Sequence, residues 1–296
     1  MICQRSQLLD AMRGLAVLTV LAFHAGLLPG GWLGVQVFFT LSGYLITRQL
    51  AAGMAASTFW HRRIARLAPL LFGYLMVNGL LAIAVGHDLT GYGWHFLFLS
   101  DQVIARGQAG SHGHVWHLWS IAVEAQAYLI WPLVARRRGV LAAIAIAGTA
   151  YWLLAGYPMT LTGNLGFFAI GGLLSPFRMP NVAAPGWLTA LGRGGYSIYL
   201  WQMLCFAVAA KFGVAWAGAP LALALGLLSA RLFEAQIRWT SPVQVYAPAG
   251  SVNPYSSSRR NPPAFTALTS KAVPGSALLT RSPNTLPASL VSRLPD

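Results

Sequence analysis

Eight runs of apolar residues, each close to the length needed to cross roughly 30 Å of hydrocarbon, divide the chain as far as residue 233. They cover 14–28, 33–50, 67–86, 116–134, 139–156, 161–175, 196–214 and 217–233. A segment immersed in lipid must satisfy its own backbone polar groups, which an α-helix does and an isolated strand cannot. The expected fold is therefore all-α: a polytopic integral-membrane bundle of about eight transmembrane helices. Composition agrees, with 56% hydrophobic and only 9% charged residues among 296 and a positive mean hydropathy. The stretch 94–99 is apolar but too short to span, so it reads as interfacial or re-entrant.

A net charge of +14 would point to nucleic acid in a soluble chain, but here its distribution argues for orientation. With the amino terminus inside, thirteen arginines fall on the cytoplasmic side, clustered at 62–66 and 136–138, and only Arg106 and Lys211 fall on the other. Both termini are then cytoplasmic. No interleaving of basic and aromatic residues marks a nucleic-acid surface, and no nucleic-acid partner is expected. The first run carries an internal histidine, lacks an Ala-x-Ala cleavage pattern and leads at once into a second run, so it reads as a retained span rather than a signal peptide. Cys3 and Cys205 lie near the inner side and within a span, where no structural disulfide is expected. From residue 240 the chain changes character: 240–296 is rich in Pro, Ser, Thr, Ala and Arg, holds the single acid Asp296, and reads as a disordered tail.

Titratable groups placed in apolar helices are functional candidates. Arg13 and His24 are eleven residues apart, three helical turns plus about 20°, so they project from one face of the first helix about 16 Å apart. His24 precedes a Pro29-Gly30-Gly31 turn. An imidazole there suits a base that takes a proton from a hydroxyl near neutral pH, or a histidine hydrogen-bonded between helices. Arg63 and Arg66, in FWHRRIARLAP on an inner-side loop entering the third span, share a helical face and suit a two-point grip on phosphates; topological anchoring is the plainer account. Glu124 lies deep in HVWHLWSIAVEAQAYLIWPL, where a carboxylate must be paired, protonated or facing water. His112, His114 and His117 cluster in HGHVWH, but the spacing matches no strong zinc signature and no fourth ligand is indicated, so no metal is expected. Gly-rich phosphate cradles, Gly-x-Ser-x-Gly elbows and Cys-x-x-Cys pairs are absent from the sequence.

The stretches LLDAMRGLAVLTVLAFHAG, GGWLGVQVFFTLSGYLI, FWHRRIARLAP, HLWSIAVEAQAYLIWPL, GFFAIGGLLS, YSIYLWQ and RLFEAQIRW follow one another as in the integral-membrane acyltransferase-3 family, which the chain resembles over 8–239. The first three blocks are specific: an arginine and a histidine with ten residues between them, the VFF-LSGYLI helix and the Arg-x-x-Arg loop. The resemblance implies an O-acyltransferase of a bacterial inner membrane. It would use an acyl-CoA donor, commonly acetyl-CoA, from the cytoplasmic side, with no bound cofactor. The acceptor would be a hydroxyl of a surface polysaccharide, lipopolysaccharide, peptidoglycan or similar glycan. It also implies roles: His24 as catalytic base or transient acyl carrier, Glu124 as organiser of the site, and Arg13, Arg63 and Arg66 as donor-binding groups.

The chain departs from the family pattern at Gln36, where an aspartate is usual, at Ala125 and Ala127 in the VEAQAYL block, and at Gln202, where histidine is common. Fewer residues than usual separate Pro132 from Tyr196. A second functional class stands beside the enzyme: a non-catalytic or degenerate family member, or a membrane carrier, in which the same charges brace the bundle. A carrier would carry internal repeats or paired broken helices, which the sequence does not display.

Overall fold

The computed structural model describes residues 6–107, 112–180 and 182–234. The tail read as disordered, 240–296, lies outside the described residues. Among the described residues the chain is helical, with no strand. Within these residues ten α-helices run in order: α1 Gln7–His24, α2 Gly34–Ala51, α3 Ala56–Ala84, α4 Ser100–Ala105, α5 Leu118–Val134, α6 Arg138–Leu154, α7 Leu161–Leu174, α8 Gly186–Arg193, α9 Gly195–Lys211 and α10 Gly218–Ser229. A π-helical turn, Ala230–Glu234, follows α10.

Three segments are long and apolar enough to cross a membrane: Gln7–His24, Ala56–Ala84 and Ala215–Leu232. Leu118–Val134, Arg138–Leu154 and Leu161–Leu174 are apolar but shorter. Large apolar side chains stand on the outside of several helices, among them Ile146, 74% exposed, and Leu154, 88% exposed. In water such a surface would be costly, and against lipid tails it is not.

Two boundaries differ from the sequence reading in ways that move the site. Helix α1 starts at Gln7 rather than residue 14 and ends at His24, because the segment after it turns through Gly26 and Gly30, both at positive φ. His24 is thus a terminal helical residue. Helix α3 starts at Ala56, eleven residues before the apolar run, so Arg63 and Arg66 lie on the helix rather than on a loop. Its 29 residues extend to about 43 Å, well beyond the hydrocarbon thickness, and the arginine-bearing first turns overhang the apolar part. Helix α8, short and amphipathic, was not read from the sequence as an element at all.

Helix contacts are made close by small residues. A Cβ at Gly171 of α7 would lie 1.9 Å from the Thr40 carbonyl oxygen of α2, and one at Gly43 of α2 would lie 2.0 Å from the Phe168 carbonyl of α7. The two backbones therefore touch, as small residues permit between helices in lipid. Helix α1 meets α8 in the same way, with Gly14 against Leu188 and Gly192 against Asp10. The core between these pairs is filled by fully buried Phe59, Tyr74, Trp131 and Phe168, and Trp131 Nε1 donates to Thr47 Oγ1 at 2.8 Å. At the end of α2, Arg136 donates to the Leu50 carbonyl at 3.0 Å, capping a carbonyl that the helix leaves open.

Candidate functional site

Of the cavities that border α1, one holds Arg13 and another holds His24. The first, about 60 Å³, is bordered by Arg13, Ser42, Arg66, Ser120 and Glu124 together with aromatic side chains of α2 and α9. It gathers charge from three helices into one narrow space. Glu124, on α5, accepts a hydrogen bond from Ser42 Oγ of α2 at 2.8 Å and a short one from the Tyr128 hydroxyl one turn along its own helix. The carboxylate is thereby fixed in place and its charge partly met by neutral donors.

Arg63 does not border this cavity. Its guanidinium lies over the rings of Phe59 and Tyr128, 5.3 and 5.2 Å from their centroids, and donates to Gln49 Oε1. The three-residue spacing placed Arg63 and Arg66 on one helical face, and they remain neighbours, but Tyr128 of α5 takes Arg63 as a stacking partner while Arg66 borders the cavity.

The second cavity is larger, about 560 Å³, and is bordered by His24, Gln36, His117, Trp119 and Tyr199 among others. The Val20 carbonyl lies 2.9 Å from His24 Nδ1 and can only accept, so Nδ1 carries the proton and Nε2 of the neutral ring holds a lone pair. That tautomer is the one a base or a nucleophilic imidazole needs. His117 is oriented by the same logic. Its Nε2 donates to the Leu200 carbonyl of α9 at 2.9 Å, which leaves Nδ1 as an acceptor, and Nδ1 is buried without a partner. Gln36 donates to Asn164 Oδ1 at 3.3 Å while its Oε1 is unmet. The sequence offered His117 as a member of a histidine cluster and Tyr199 within an apolar span, each inside a stretch that carries the family resemblance but neither with an assigned role.

The other members of that cluster have different surroundings. His112 Nε2 donates to the Thr90 carbonyl at 2.8 Å, so its Nδ1 accepts from His95 Nε2 at 3.0 Å, and His95 Nδ1 in turn accepts from Ser100 Oγ at 2.8 Å. Asn78 ties this loop to α3 by donating to the Tyr92 hydroxyl and to the His112 carbonyl. The result ties 88–107 and 112–117 together, and the apolar stretch 94–99, a 3-10 turn running into further turns, does not span. Burial, and then the neighbouring His112, hold the His95 pKa down at about 4. The exposed Asp88 carboxyl is held below its usual range by the backbone N–H and hydroxyl of Thr90. Among the described residues no three metal-ligating side chains converge.

The structure thus brings Arg13, Arg66 and Glu124 to one cavity, holds Arg63 behind Tyr128 within electrostatic reach of the same carboxylate, and sets His24 apart in the adjoining space. Such a pairing of a cationic pocket with a poised imidazole suits a polyanionic donor on one side and a hydroxyl on the other.

Comparison with known proteins agrees with this chemistry. The sequence model of a family described as an acyltransferase domain matches residues 7–182. A peptidoglycan O-acetyltransferase of Listeria monocytogenes is 32% identical over 145 residues, covering 42% of this chain and 23% of that protein. A putative peptidoglycan O-acetyltransferase of Bacillus subtilis is 33% identical over 146 residues, with the same coverage of each chain. A putative O-acetyltransferase of Staphylococcus aureus is 34% identical over 145 residues, 43% of this chain and 24% of its own length. The matched region therefore spans about a quarter of the length of these curated relatives. No solved structure matches the chain.

Proposed function

The chain belongs to the acyltransferase-3 family, and from that premise we propose that it is a membrane O-acyltransferase moving an acetyl group from a CoA thioester to a hydroxyl of a cell-envelope glycan. The observation that carries this reading is the arrangement along α1. Arg13 and Arg66 border one cavity with Glu124, and His24 borders another with its Nε2 lone pair available. Arg13 and Arg66 hold the donor's phosphates as charge-assisted partners. Arg63, stacked on Tyr128, supports that pocket from behind rather than binding the donor directly.

At the reacting centre His24 Nε2 takes the proton of the acceptor hydroxyl, whose oxygen bonds to the acyl carbon. The carbon–sulfur bond breaks, and the CoA thiolate receives the proton from the imidazolium. If His24 instead carries the acyl group, Nε2 bonds to the acyl carbon first and the hydroxyl displaces it second, with the same net balance. A peptidoglycan hydroxyl is the favoured acceptor, because two of the relatives are named for that polymer.

The membrane setting completes the reading. Helices α1, α2, α3, α5, α6, α7, α9 and α10 serve as eight crossings of a bacterial inner membrane with both termini in the cytoplasm. That orientation places the arginine-rich ends inside and His24 toward the outer face.

The test is transfer of label from radiolabelled acetyl-CoA to cell-envelope material in inverted vesicles, comparing the intact chain with His24→Ala. Transfer that disappears in the variant, with membrane insertion unchanged, supports the reading. Full transfer by the variant removes His24 from the mechanism, and no transfer by either chain favours a non-catalytic family member.

A further inference from the structure

Val35 of α2 and Tyr199 of α9 border both cavities, with the arginine-lined space on one side and the His24 space on the other. Both are nearly sealed, at 6% and 8% exposure. The Tyr199 ring is held from several directions. Its hydroxyl lies 2.7 Å from Ser120 Oγ and donates to the His117 carbonyl at 3.1 Å, and its ring packs at an angle against His117 and Phe38, 5.5 and 6.4 Å between centroids. A tyrosine held at its tip by hydrogen bonds and along its ring by two aromatic neighbours forms a fixed wall rather than a loose filler.

We propose that the Tyr199 ring, backed by Val35, partitions the two spaces and so decides whether the acyl group of the donor reaches a glycan hydroxyl or water. The proposal rests on the acyltransferase reading above. A thioester open to water from the His24 side is lost by hydrolysis: the water oxygen bonds to the acyl carbon, the carbon–sulfur bond breaks, and the water's proton passes to the departing thiolate, giving free acetate and CoA. A closed wall withholds the thioester from that water until an acceptor hydroxyl occupies the His24 space. The ring does the separating and the hydroxyl only fixes the ring, so phenylalanine at this position preserves the partition.

Two measurements on the full-length membrane protein test this. In the first, free acetate and glycan-bound acetate are counted from labelled acetyl-CoA. Tyr199→Ala and Val35→Ala each raise the ratio of free to bound label about tenfold or more, and Tyr199→Phe leaves it near wild type. In the second, Cys3 and Cys205 are replaced by serine and alanine, and a single cysteine is placed at Ile121 in the arginine-side cavity or at Met203 in the His24-side cavity. A charged, membrane-impermeant thiosulfonate reagent is then added to spheroplasts or to inverted vesicles. With the wall intact each membrane face labels one of the two cysteines; with Tyr199→Ala or Val35→Ala both are labelled from either face.

An unchanged product ratio in both wall variants overturns the partition of the acyl group. Either cysteine reached from both faces in the intact chain, or segregation that persists in both variants, overturns the wall itself. A wild-type chain that releases no acetyl from CoA overturns the acyltransferase reading and the acyl partition with it, while the labelling result still decides whether the wall exists.

Discussion

Ser42 Oγ donates to Glu124 Oε1 across 2.8 Å, joining α2 to α5 at the edge of the arginine-lined cavity, and the Tyr128 hydroxyl donates to the same oxygen. Two neutral donors on one carboxylate oxygen fix its direction, and Arg13 and Arg66 border the same space. Replacing Glu124 with glutamine preserves the shape and removes the charge that orients those arginines. The expected result is a rise in donor KM of about fivefold or more with kcat changed by less than about threefold, the pattern of a group that acts through the donor-binding arginines. Steady-state kinetics with acetyl-CoA varied would give both parameters, and an unchanged donor KM would return Glu124 to a packing role.

Arg66 and Arg63 should separate cleanly. Arg66→Ala removes a cavity cation and is expected to raise the donor KM about tenfold, the weight of one charge-assisted hydrogen bond. Arg63→Ala instead removes a guanidinium stacked on Phe59 and Tyr128, and is expected to lower the thermal midpoint in detergent with donor KM unchanged. Equal effects of the two substitutions on donor KM would contradict the separation seen in the fold.

The contact between α2 and α7 sets up a stability comparison. Gly171→Ala drives a Cβ to within 1.9 Å of the Thr40 carbonyl, backbone that cannot move aside without separating the helices, and should cost about 1–3 kcal/mol. Gly73→Ala, in α3 with open space around the new methyl, should be neutral or slightly stabilising. Thermal unfolding of the two variants in the same detergent would check the difference.

The segment around His95 gives a pH dependence of defined sign. His95, faced by His112, Ser100 and Tyr92, is neutral in the folded chain down to about pH 4, whereas the unfolded side chain takes up a proton near its ordinary value of 6.5. Its contribution is fully present above pH 6.5 and is lost as the pH falls from there toward 4, because the unfolded state then binds the extra proton. Over that window the loss is on the order of a few kcal/mol. Thermal midpoints measured between pH 7 and 4.5 should fall more steeply for the intact chain than for His95→Gln, and parallel curves would remove His95 as a cause.

Much of this was open to inspection in the sequence, and the exceptions have physical reasons. The positions of Arg13 and His24 along one helix follow from helical periodicity alone, which is local. The divergence of Arg63 from Arg66 is not local. It depends on Tyr128 arriving from α5, and no spacing within α3 encodes a partner sixty-five residues away. His117 was visible only as part of a histidine run, although its place one residue before the apolar helix was a sign that its ring would be buried at the end of a span. Tyr199 was visible as part of the YSIYLWQ stretch but carried no assigned role, since an aromatic residue in an apolar run reads as core until it is seen to border two cavities. Helix α8 escaped because eight residues containing two glycines and an arginine resemble a connection more than an element.

Backbone contact at Gly43 and Gly171 has a dynamic consequence. Helices that touch through carbonyl oxygens and Cα atoms have no compressible side-chain layer between them, so they can neither rotate nor slide past one another without parting. The α2–α7 pair therefore behaves as one rigid unit, and Val35 and Ser42, carried on α2, keep fixed positions relative to α7.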